Sequence, residues 1–255
     1  MQELFGWTGK MLRINLSNHS AAELSSMTYA SRFIGGRGLA SRMYWDELNP
    51  SLSAFDPDNH LYFMTGPLCG TQAPAASRWV VLGKSPMAVP EQYASANLGG
   101  SFGAVLKWAG LDGLDIYGDS LKPVFLVIEQ GGTCRFEDAG RLWGKDCFDT
   151  IAALEEQYGD TARVAAISRA GEMKVRFANI IGSDGVSATK GFGAVMGSKN
   201  LKAIVVRAEK APLRAARPEA FKQVRKDITA LWKGEGSGRF WNELNLEDIE
   251  KIKDI

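Results

Sequence analysis

A glycine-rich stretch, residues 95–113 (SANLGGSFGAVLKWAGLDG), constrains the fold more than any other segment. Its apolar residues recur at i, i+3, i+4 and i+7, the spacing of one buried helix face; they are Phe102, Val105, Leu106 and Ala109. Three glycines lie at the entrance of this helix: Gly99, Gly100 and Gly103. Because glycine costs a helix up to about 1 kcal/mol relative to alanine, their presence needs a reason. Either an anionic ligand approaches the free N–H groups of the first turn, or the glycines serve turn geometry and tight packing.

The overall composition excludes several classes of protein. With 255 residues, of which 45% are hydrophobic and 23% charged, the chain can bury a substantial core as one large domain or two small ones. Its net charge of +1 creates no field that would attract nucleic acid. Residues 1–16 lack the features of a secretory signal, and no apolar run reaches the length of a membrane span. The sequence therefore predicts a cytoplasmic protein that neither enters a membrane nor binds nucleic acid.

The cysteines and histidines offer little for metal or disulfide chemistry. Cys69, Cys134 and Cys147 are odd in number, widely separated and outside any C-x-x-C motif, which favours three reduced thiols. The chain contains only two histidines, His19 and His60. A zinc site or a histidine-based catalytic triad is therefore not indicated.

Short apolar runs alternate with helical patterns along the chain, which predicts a mixed fold of strands and helices. The predicted strands are residues 10–16, 61–65, 78–83, 124–129, 133–138, 162–168, 175–182 and 201–208. The predicted helices are residues 27–48 with an interruption at Gly35–Gly38 and a cap at Thr28 or Ser31, residues 102–109, residues 149–159 and residues 219–232. No internal repeat is detected. From about residue 209 the composition becomes rich in charged residues and typical of a linker. We therefore expect one domain over residues 1–208 and a helical linker with the start of a second domain over residues 209–255.

Nucleotide-binding fingerprints are absent from the glycine-rich segments. The spacing in GFGAVMGSKN (191–200) is wrong for a P-loop, and GGRGLA (35–40) fails the G-x-G-x-x-G pattern. Three Gly- or Pro-rich loops nevertheless follow apolar strands; they are residues 65–78, 95–100 and 183–193. Together these loops could present backbone N–H groups to one large, multiply anionic ligand, with Arg78 and Lys190 as charged partners. Arg78 could equally be half of a surface salt bridge, and Asn97 could be either a ligand contact or a helix N-cap.

Eight segments carry a resemblance to a known family. They are GWTGKMLRINL, FIGGRGLASRMYWDEL, TGPLCGTQAPAASRW, KSP, ANLGGSFGAVLKWAGLDGLDIYG, KPVFLVIE, LWGKD and GFGAVMGSKNLKAIVVR. In this order and spacing they resemble the N-terminal domain of the aldehyde ferredoxin oxidoreductase family, over residues 5–207. The resemblance implies an α+β fold in which two antiparallel-rich β-sheets carry flanking helices, with a short C-terminal helical extension.

The same resemblance implies a function. It is the oxidation of aldehydes to carboxylic acids by tungsten, or molybdenum, on a bis-molybdopterin cofactor whose phosphates are bridged by Mg²⁺, with residues 1–208 as the cofactor-binding domain. Electrons would leave through a [4Fe–4S] cluster to ferredoxin or a redox partner subunit. The implied cofactor contacts are Arg78, Asn97, Gly99, Gly100, Gly185, Val186, Ser187, Ala188 and Lys190. Arg78 would donate hydrogen bonds to the pterin and toward the cluster, and the carbonyls of Asn97 and Val186 would face the magnesium and its water. No catalytic residue is implied within this chain.

Two departures from the family pattern affect these expectations. The loop before GAVMGSKN usually carries two arginines, but here residues 185–191 read GVSATKG. Lys190 would supply only part of that charge, because an ammonium group cannot reproduce the paired contacts of a guanidinium. The cluster cysteines and the carboxylate and histidine near the metal lie in later domains of the family, and this sequence carries none of those motifs. We therefore expect no [4Fe–4S] centre on this chain, and either a second polypeptide that supplies the catalytic half or a non-catalytic remnant or scaffold.

Overall fold

The computed structural model describes residues 4–47, 49–211 and 213–233. The first half contains, in order, β1 (Lys10–Asn15), β2 (Ser20–Ser25), α1 (Met27–Phe33), α2 (Gly36–Glu47), β3 (Leu61–Thr65), β4 (Trp79–Ser85), β5 (Gln92–Leu98), α3 (Phe102–Trp108) and β6 (Gly113–Tyr117). The second half contains β7 (Val124–Ile128), β8 (Cys134–Asp138), α4 (Cys147–Tyr158), β9 (Ala162–Ile167), α5 (Arg169–Glu172), β10 (Ile180–Gly182), β11 (Ser187–Ala188), α6 (Phe192–Ser198) and β12 (Leu201–Arg207). The helix α7 (Pro218–Lys233) follows the second half.

The two halves form separate six-stranded sheets with the same topology. The strand order is β2-β1-β6-β3-β4-β5 in the first sheet and β8-β7-β12-β9-β10-β11 in the second. In each sheet the only parallel neighbours are the first and the last strand of that half, β1 with β6 and β7 with β12. The expected α+β fold with two antiparallel-rich sheets is therefore confirmed.

This shared topology is an internal structural repeat, so the sequence-based conclusion that the chain has none is wrong. The one obvious sequence trace is Phe-Gly-Ala-Val, which begins both α3 and α6 at Phe102–Val105 and Phe192–Val195. Elsewhere the halves have diverged in sequence while keeping alternating buried faces, which suffice to keep the same strand order.

The fold has five layers: α1 with α2, the first sheet, α3 with α6, the second sheet, and α4. Three hydrophobic clusters hold these layers together. The largest lies between the sheets and includes Phe102 and Val105 of α3, Phe192 and Val195 of α6, and inward-facing residues of both sheets. A second cluster packs α4 on the outer face of the second sheet, and a third packs α1 and α2 on the outer face of the first. Strands such as β3 (LYFMT) are buried along their whole length, because helices cover both faces of the sheet.

Most predicted elements are present, with a few differences. The elements that were not predicted are strands β2, β5, β6 and β11 and helices α5 and α6, and the predicted strand 175–182 is a strand only at Ile180–Gly182. The cap position of α1 is Ser26 rather than Thr28 or Ser31, and its side chain makes no capping hydrogen bond. Within the described part of the chain, no helix is both long enough and apolar enough to cross a bilayer.

Candidate functional site

The edge strands β5 and β11, one in each sheet, each adjoin a loop, and these two loops lie against each other. Strand β5 leads into Gly99 and Gly100, while the turn before β11 contains Asp184, Gly185 and Val186. The edge strands β5 and β11 are also in contact. A β-carbon built on Gly99 would lie 3.9 Å from Val186 Cγ1. The structure therefore brings the predicted residues of both loops to one place, the junction of the two repeats.

The three glycines at the entrance of α3 turn out to have three different causes. A β-carbon on Gly103 would lie 2.8 Å from Trp79 Cβ, so this glycine permits helix–sheet packing. A β-carbon on Gly100 would lie 2.6 Å from the carboxylate Oδ2 of Asp184, so this glycine makes room for an aspartate. Gly99 meets only Val186 within 4 Å among the described residues. Of the three, Gly99 alone has an open face on which a ligand could approach the backbone.

Arg78 and Asn97 flank this open glycine. Arg78 precedes β4, whose Trp79 pairs with Leu98 and whose Val80 pairs with Asn97. The Trp79 indole N–H donates to the Gly99 carbonyl at 2.8 Å, which fixes the loop. Arg78 and Asn97 are both exposed, and the described residues include no ion pair for Arg78. The surface salt bridge considered for Arg78 is thus not formed with any residue that the structure describes, and Asn97 is a strand residue rather than a helix cap.

The second loop offers open backbone at one end only. Gly185 has a φ of +69°, and a β-carbon built on it would have no described atom within 4 Å, so its face is open like that of Gly99. The Val186 carbonyl accepts the Gly182 N–H at 2.8 Å and keeps a second lone pair for another contact. Ser187 and Ala188 pair with Ile181 and Ile180 as strand β11.

Lys190 lies at the opposite end of strand β4 from Arg78. Its carbonyl accepts the Ser85 hydroxyl at 2.6 Å, and Ser85 ends the strand that Trp79 begins. Six residues of strand separate these positions by about 20 Å. Lys190 and Arg78 could therefore contact one ligand only if that ligand is elongated along β5.

Sequence reasoning missed Arg37 as a member of this group. Arg37 lies in the first turn of α2, and its Nη2 atom is 3.5 Å from Asn97 Oδ1. The signal was the glycine cluster of GGRG, which on its own indicates only a helix interruption. Arg37 and Arg78 together place two exposed guanidinium groups beside the junction of the two repeats. The nearby Asp184 carboxylate is hydrogen-bonded to Ser101. This donor set and the bare backbone at Gly99 and Gly185 fit a phosphorylated organic anion.

A separate cluster of potential metal ligands is already neutralised. Glu47, His60 and Asp115 have ligand atoms within 4.8 Å of one another. Asp115 is fully buried, but it accepts hydrogen bonds from Arg13 Nε at 2.7 Å and from His60 Nδ1 at 2.6 Å, and Arg13 also bonds Glu47. Because the guanidinium occupies the carboxylates, a second cation there would be repelled, and we read this cluster as structural.

The three cysteines are free, as predicted. Burial raises the pKa of the Cys69 thiol to about 11 and that of Cys134 to about 12. Since the thiolate is the form that binds metal, these two side chains are poor ligands.

A groove of about 750 Å³ lies between residues 70–72 and α7, and its lining includes Phe5, Phe221, Lys222 and Arg225. It shares no lining residue with the junction of the two loops. Since the groove holds no Gly-rich open backbone except Gly70, whose β-carbon would lie 3.0 Å from Lys107, the junction remains the better candidate.

Comparisons with known proteins identify the family of the chain. The family profile described as aldehyde ferredoxin oxidoreductase, N-terminal domain, matches residues 11–208. The tungsten-containing aldehyde ferredoxin oxidoreductase of Pyrococcus abyssi is 41% identical over 238 residues, covering 92% of this chain and 39% of that protein. The WOR-like subunit of the aliphatic sulfonate oxidoreductase of Pyrococcus furiosus is 31% identical over 259 residues, covering 94% of this chain and 39% of that protein.

One solved structure is similar over most of the fold. It is the active-site complex BamBC of benzoyl coenzyme A reductase with 1,5-dienoyl-CoA, with a TM-score of 0.85 and 34% identity over 90% of this chain and 35% of that chain. The present chain thus spans less than two fifths of the length of each of these relatives.

Proposed function

Because this chain belongs to the aldehyde ferredoxin oxidoreductase family, we propose that it supplies the cofactor-binding part of a tungsten or molybdenum bis-molybdopterin oxidoreductase. The observation that carries the proposal is the open backbone at Gly99 and Gly185, which lies at the junction of the two repeats beside Arg78, an arginine with no ion pair to any described residue. Such an arrangement suits a bulky ligand with several negative charges, because guanidinium groups bind phosphate with paired, charge-assisted hydrogen bonds.

Each residue at the junction has a specific task in this proposal. Arg78 and Arg37 bind the anionic groups, and Gly99 and Gly185 let the ligand lie against the main chain. The carbonyls of Asn97 and Val186 would hold Mg²⁺ through its bound water. When bound, the cofactor supplies two-electron chemistry in which an aldehyde and water become a carboxylic acid, two protons and two electrons. The residues of this chain bind and orient it.

Other parts of the reaction require residues that this sequence does not contain. A [4Fe–4S] cluster that passes electrons to ferredoxin, and the groups that handle protons near the metal, would come from a longer chain or from a second polypeptide. The relatives named as subunits of complexes are consistent with a partner. A non-catalytic scaffold that pairs with another protein is the alternative, and the loss of both loop arginines at residues 185–191 favours it.

A second candidate function keeps the cofactor but changes the substrate. The similarity to a benzoyl coenzyme A reductase complex extends over 90% of the chain at 34% identity. A coenzyme A thioester of an aromatic acid would then be reduced where the first candidate oxidises an aldehyde. Assays of the assembled enzyme with benzaldehyde and with 1,5-dienoyl-CoA, each with a viologen dye as electron acceptor, separate the two candidates.

Metal and pterin analysis tests the cofactor itself. The full chain is purified from cells grown with tungstate, together with the partner that co-purifies, and tungsten, molybdenum, pterin and phosphate are quantified. We expect one tungsten or molybdenum and two pterins per chain. Arg78→Ala should lower the pterin content at least about tenfold, the effect of losing one charge-assisted contact. Arg141→Ala is the matched control, since Arg141 is an exposed arginine of the β8–α4 connection.

Two outcomes would contradict the proposal. Absence of both metal and pterin from the wild-type assembly would favour the scaffold alternative. Equal cofactor loss in Arg78→Ala and Arg141→Ala would mean that the junction does not hold the cofactor.

A further inference from the structure

The carboxylate of Asp184 reaches from the second repeat to the start of helix α3 in the first. Its Oδ2 atom accepts the Ser101 N–H at 2.8 Å and the Ser101 hydroxyl at 2.8 Å. Arg163 Nε in turn donates to Ser101 Oγ at 2.6 Å. A chain of hydrogen bonds thus runs from Arg163 through Ser101 to Asp184, and we call these three residues the clasp.

Both sides of the clasp are anchored. Arg163 Nη1 donates to the carbonyls of Asp160 and Ala162, which fixes the guanidinium at 2.8 and 2.6 Å. On the other side Ser183, next to Asp184, accepts the Val164 N–H at 2.8 Å and donates to Glu155 at 2.6 Å. Both anchors lie in the second repeat, so the clasp holds Ser101 of the first repeat between two residues that the second repeat fixes in place.

Two backbone features allow this contact. Asp184 has a φ of +71°, a left-handed conformation that an aspartate adopts at some cost. Gly100 has a φ of +70°, and any β-carbon there would lie 2.6 Å from Asp184 Oδ2. The clasp also satisfies a free N–H donor at the start of α3 with a carboxylate from outside the helix, the charge that this helix end favours.

The clasp lies beside the glycines whose faces are open, Gly99 and Gly185. Gly99 immediately precedes Gly100, and Gly185 and Val186 immediately follow Asp184. We propose that Asp184 is a positioning residue for the cofactor site: the clasp sets the spacing between Gly99 and Val186 and keeps the carboxylate away from the bound anion. A released Asp184 would widen the junction and would also place a negative charge beside phosphates. This inference rests on the proposed function for its role, but the clasp itself is tested independently.

The test compares three alanine variants of the full chain, with and without its partner. Asp184→Ala removes the acceptor, and Gly100→Ala displaces the same acceptor by collision. Gly131→Ala is the matched control, because Gly131 also has a positive φ (+84°) but nothing within 4 Å of the added carbon. Asp184→Asn keeps one acceptor oxygen for the Ser101 N–H and so provides a milder variant. Amide hydrogen exchange of residues 99–101 and 183–188 and the pterin content are measured for each.

We expect Asp184→Ala and Gly100→Ala each to raise the amide exchange rate of Ser101 about tenfold. A variant that carries both changes should exchange no faster at Ser101 than either single variant. Both single variants should lower the pterin content. Asp184→Asn should have an exchange rate and a pterin content between theirs and those of wild type. Gly131→Ala should match wild type in both measurements. Additive effects of the two single variants, or unchanged exchange at Ser101, would refute the clasp. Faster exchange with undiminished pterin content would refute its positioning role. If the wild-type protein carries no pterin, the proposed function fails, while the exchange data still decide whether the clasp exists.

Discussion

The connection between the third and fourth strands differs sharply between the two repeats. In the second repeat, residues 168–179 contain α5, which packs so closely on α6 that a β-carbon on Gly197 would lie 1.9 Å from the Gly171 carbonyl oxygen. In the first repeat, residues 66–78 contain no helix, begin at Gly66 with nothing within 4 Å of its open face, and end at exposed Arg78. One repeat uses this connection for packing, and the other has an open face at Gly66 and an exposed side chain at Arg78 at its two ends, where we propose that the cofactor binds. In this proposal the duplicated scaffold does not duplicate the binding surface.

The largest expected difference concerns the buried ion pair that each repeat contains. Asp112 accepts the Lys107 ammonium, the N–H groups of Thr8 and Gly9, and the Ser26 hydroxyl. In the second repeat Glu172 binds Lys202 and the Gly144 N–H. Removing one partner of a buried pair costs about 3–5 kcal/mol, so we expect Asp112→Ala to reach about 5 and Glu172→Ala about 3. Urea unfolding of both variants measures the two losses in free energy of unfolding. A larger loss for Glu172→Ala than for Asp112→Ala would contradict the expected order.

The next effect compares the glycines that occupy the second position of α3 and α6. A β-carbon on Gly193 would lie 2.4 Å from the Asn179 carbonyl oxygen, whereas one on Gly103 would lie 2.8 Å from a side-chain atom of Trp79. Because the contact at Gly193 is the shorter of the two, Gly193→Ala should destabilise by about 3 kcal/mol and Gly103→Ala by about 1–2 kcal/mol. Thermal unfolding measures both. Equal losses would indicate that the two helices are packed equally tightly.

A third difference depends on pH. Lys199 at the end of α6 corresponds to Ala109 of the first repeat, and its ammonium donates to the carbonyls of Asp56, Pro57 and Gly118. Burial lowers the pKa of Lys199 to about 8, from 10.5. The unfolded chain therefore binds the proton more tightly, and stability should rise as the pH increases from 8 to 10.5. Relative to Lys199→Met, the free energy of unfolding should increase by about 2 kcal/mol over this range. A constant difference between the two proteins would contradict the shift.

The smallest effect is expected at the exposed cations of the two loops. Arg78 and Lys190 have no ion-pair partner among the residues that the structure describes, so each alanine variant should change the free energy of unfolding by less than about 0.5 kcal/mol. Circular dichroism melts of both variants test this expectation. A loss of more than about 1 kcal/mol would assign the side chain to folding rather than to binding.

Sequence patterns predicted the strands with an almost unbroken apolar run, such as β3 and β7. Strand β5 (QYASANL) was missed because it is an edge strand with mostly exposed, small or polar side chains. Strand β6 (GLDIY) was missed because Asp115 interrupts its apolar run, and only the fold reveals that Arg13 and His60 satisfy this buried aspartate. The repeat stayed hidden because strand topology depends on alternation of apolar residues, not on their identity.

The candidate site was predictable in part. Arg78, Asn97 and Gly99 follow from motifs and resemblance, and the structure places them together. The causes of Gly100 and Gly103 could not be predicted, because Asp184 and Trp79, the residues that would collide with a side chain there, lie far away along the sequence. The separation of Lys190 from Arg78 likewise emerges only once the direction of β4 is known.

Anomalous scattering at the tungsten absorption edge is the most direct test of the central claim. Crystals of the full chain with its partner, purified from cells grown with tungstate, would be measured on both sides of the edge. We predict one strong peak above the junction formed by Gly99 and Val186. No peak, or a peak at the groove beside α7, would contradict the assignment of the junction as the cofactor site.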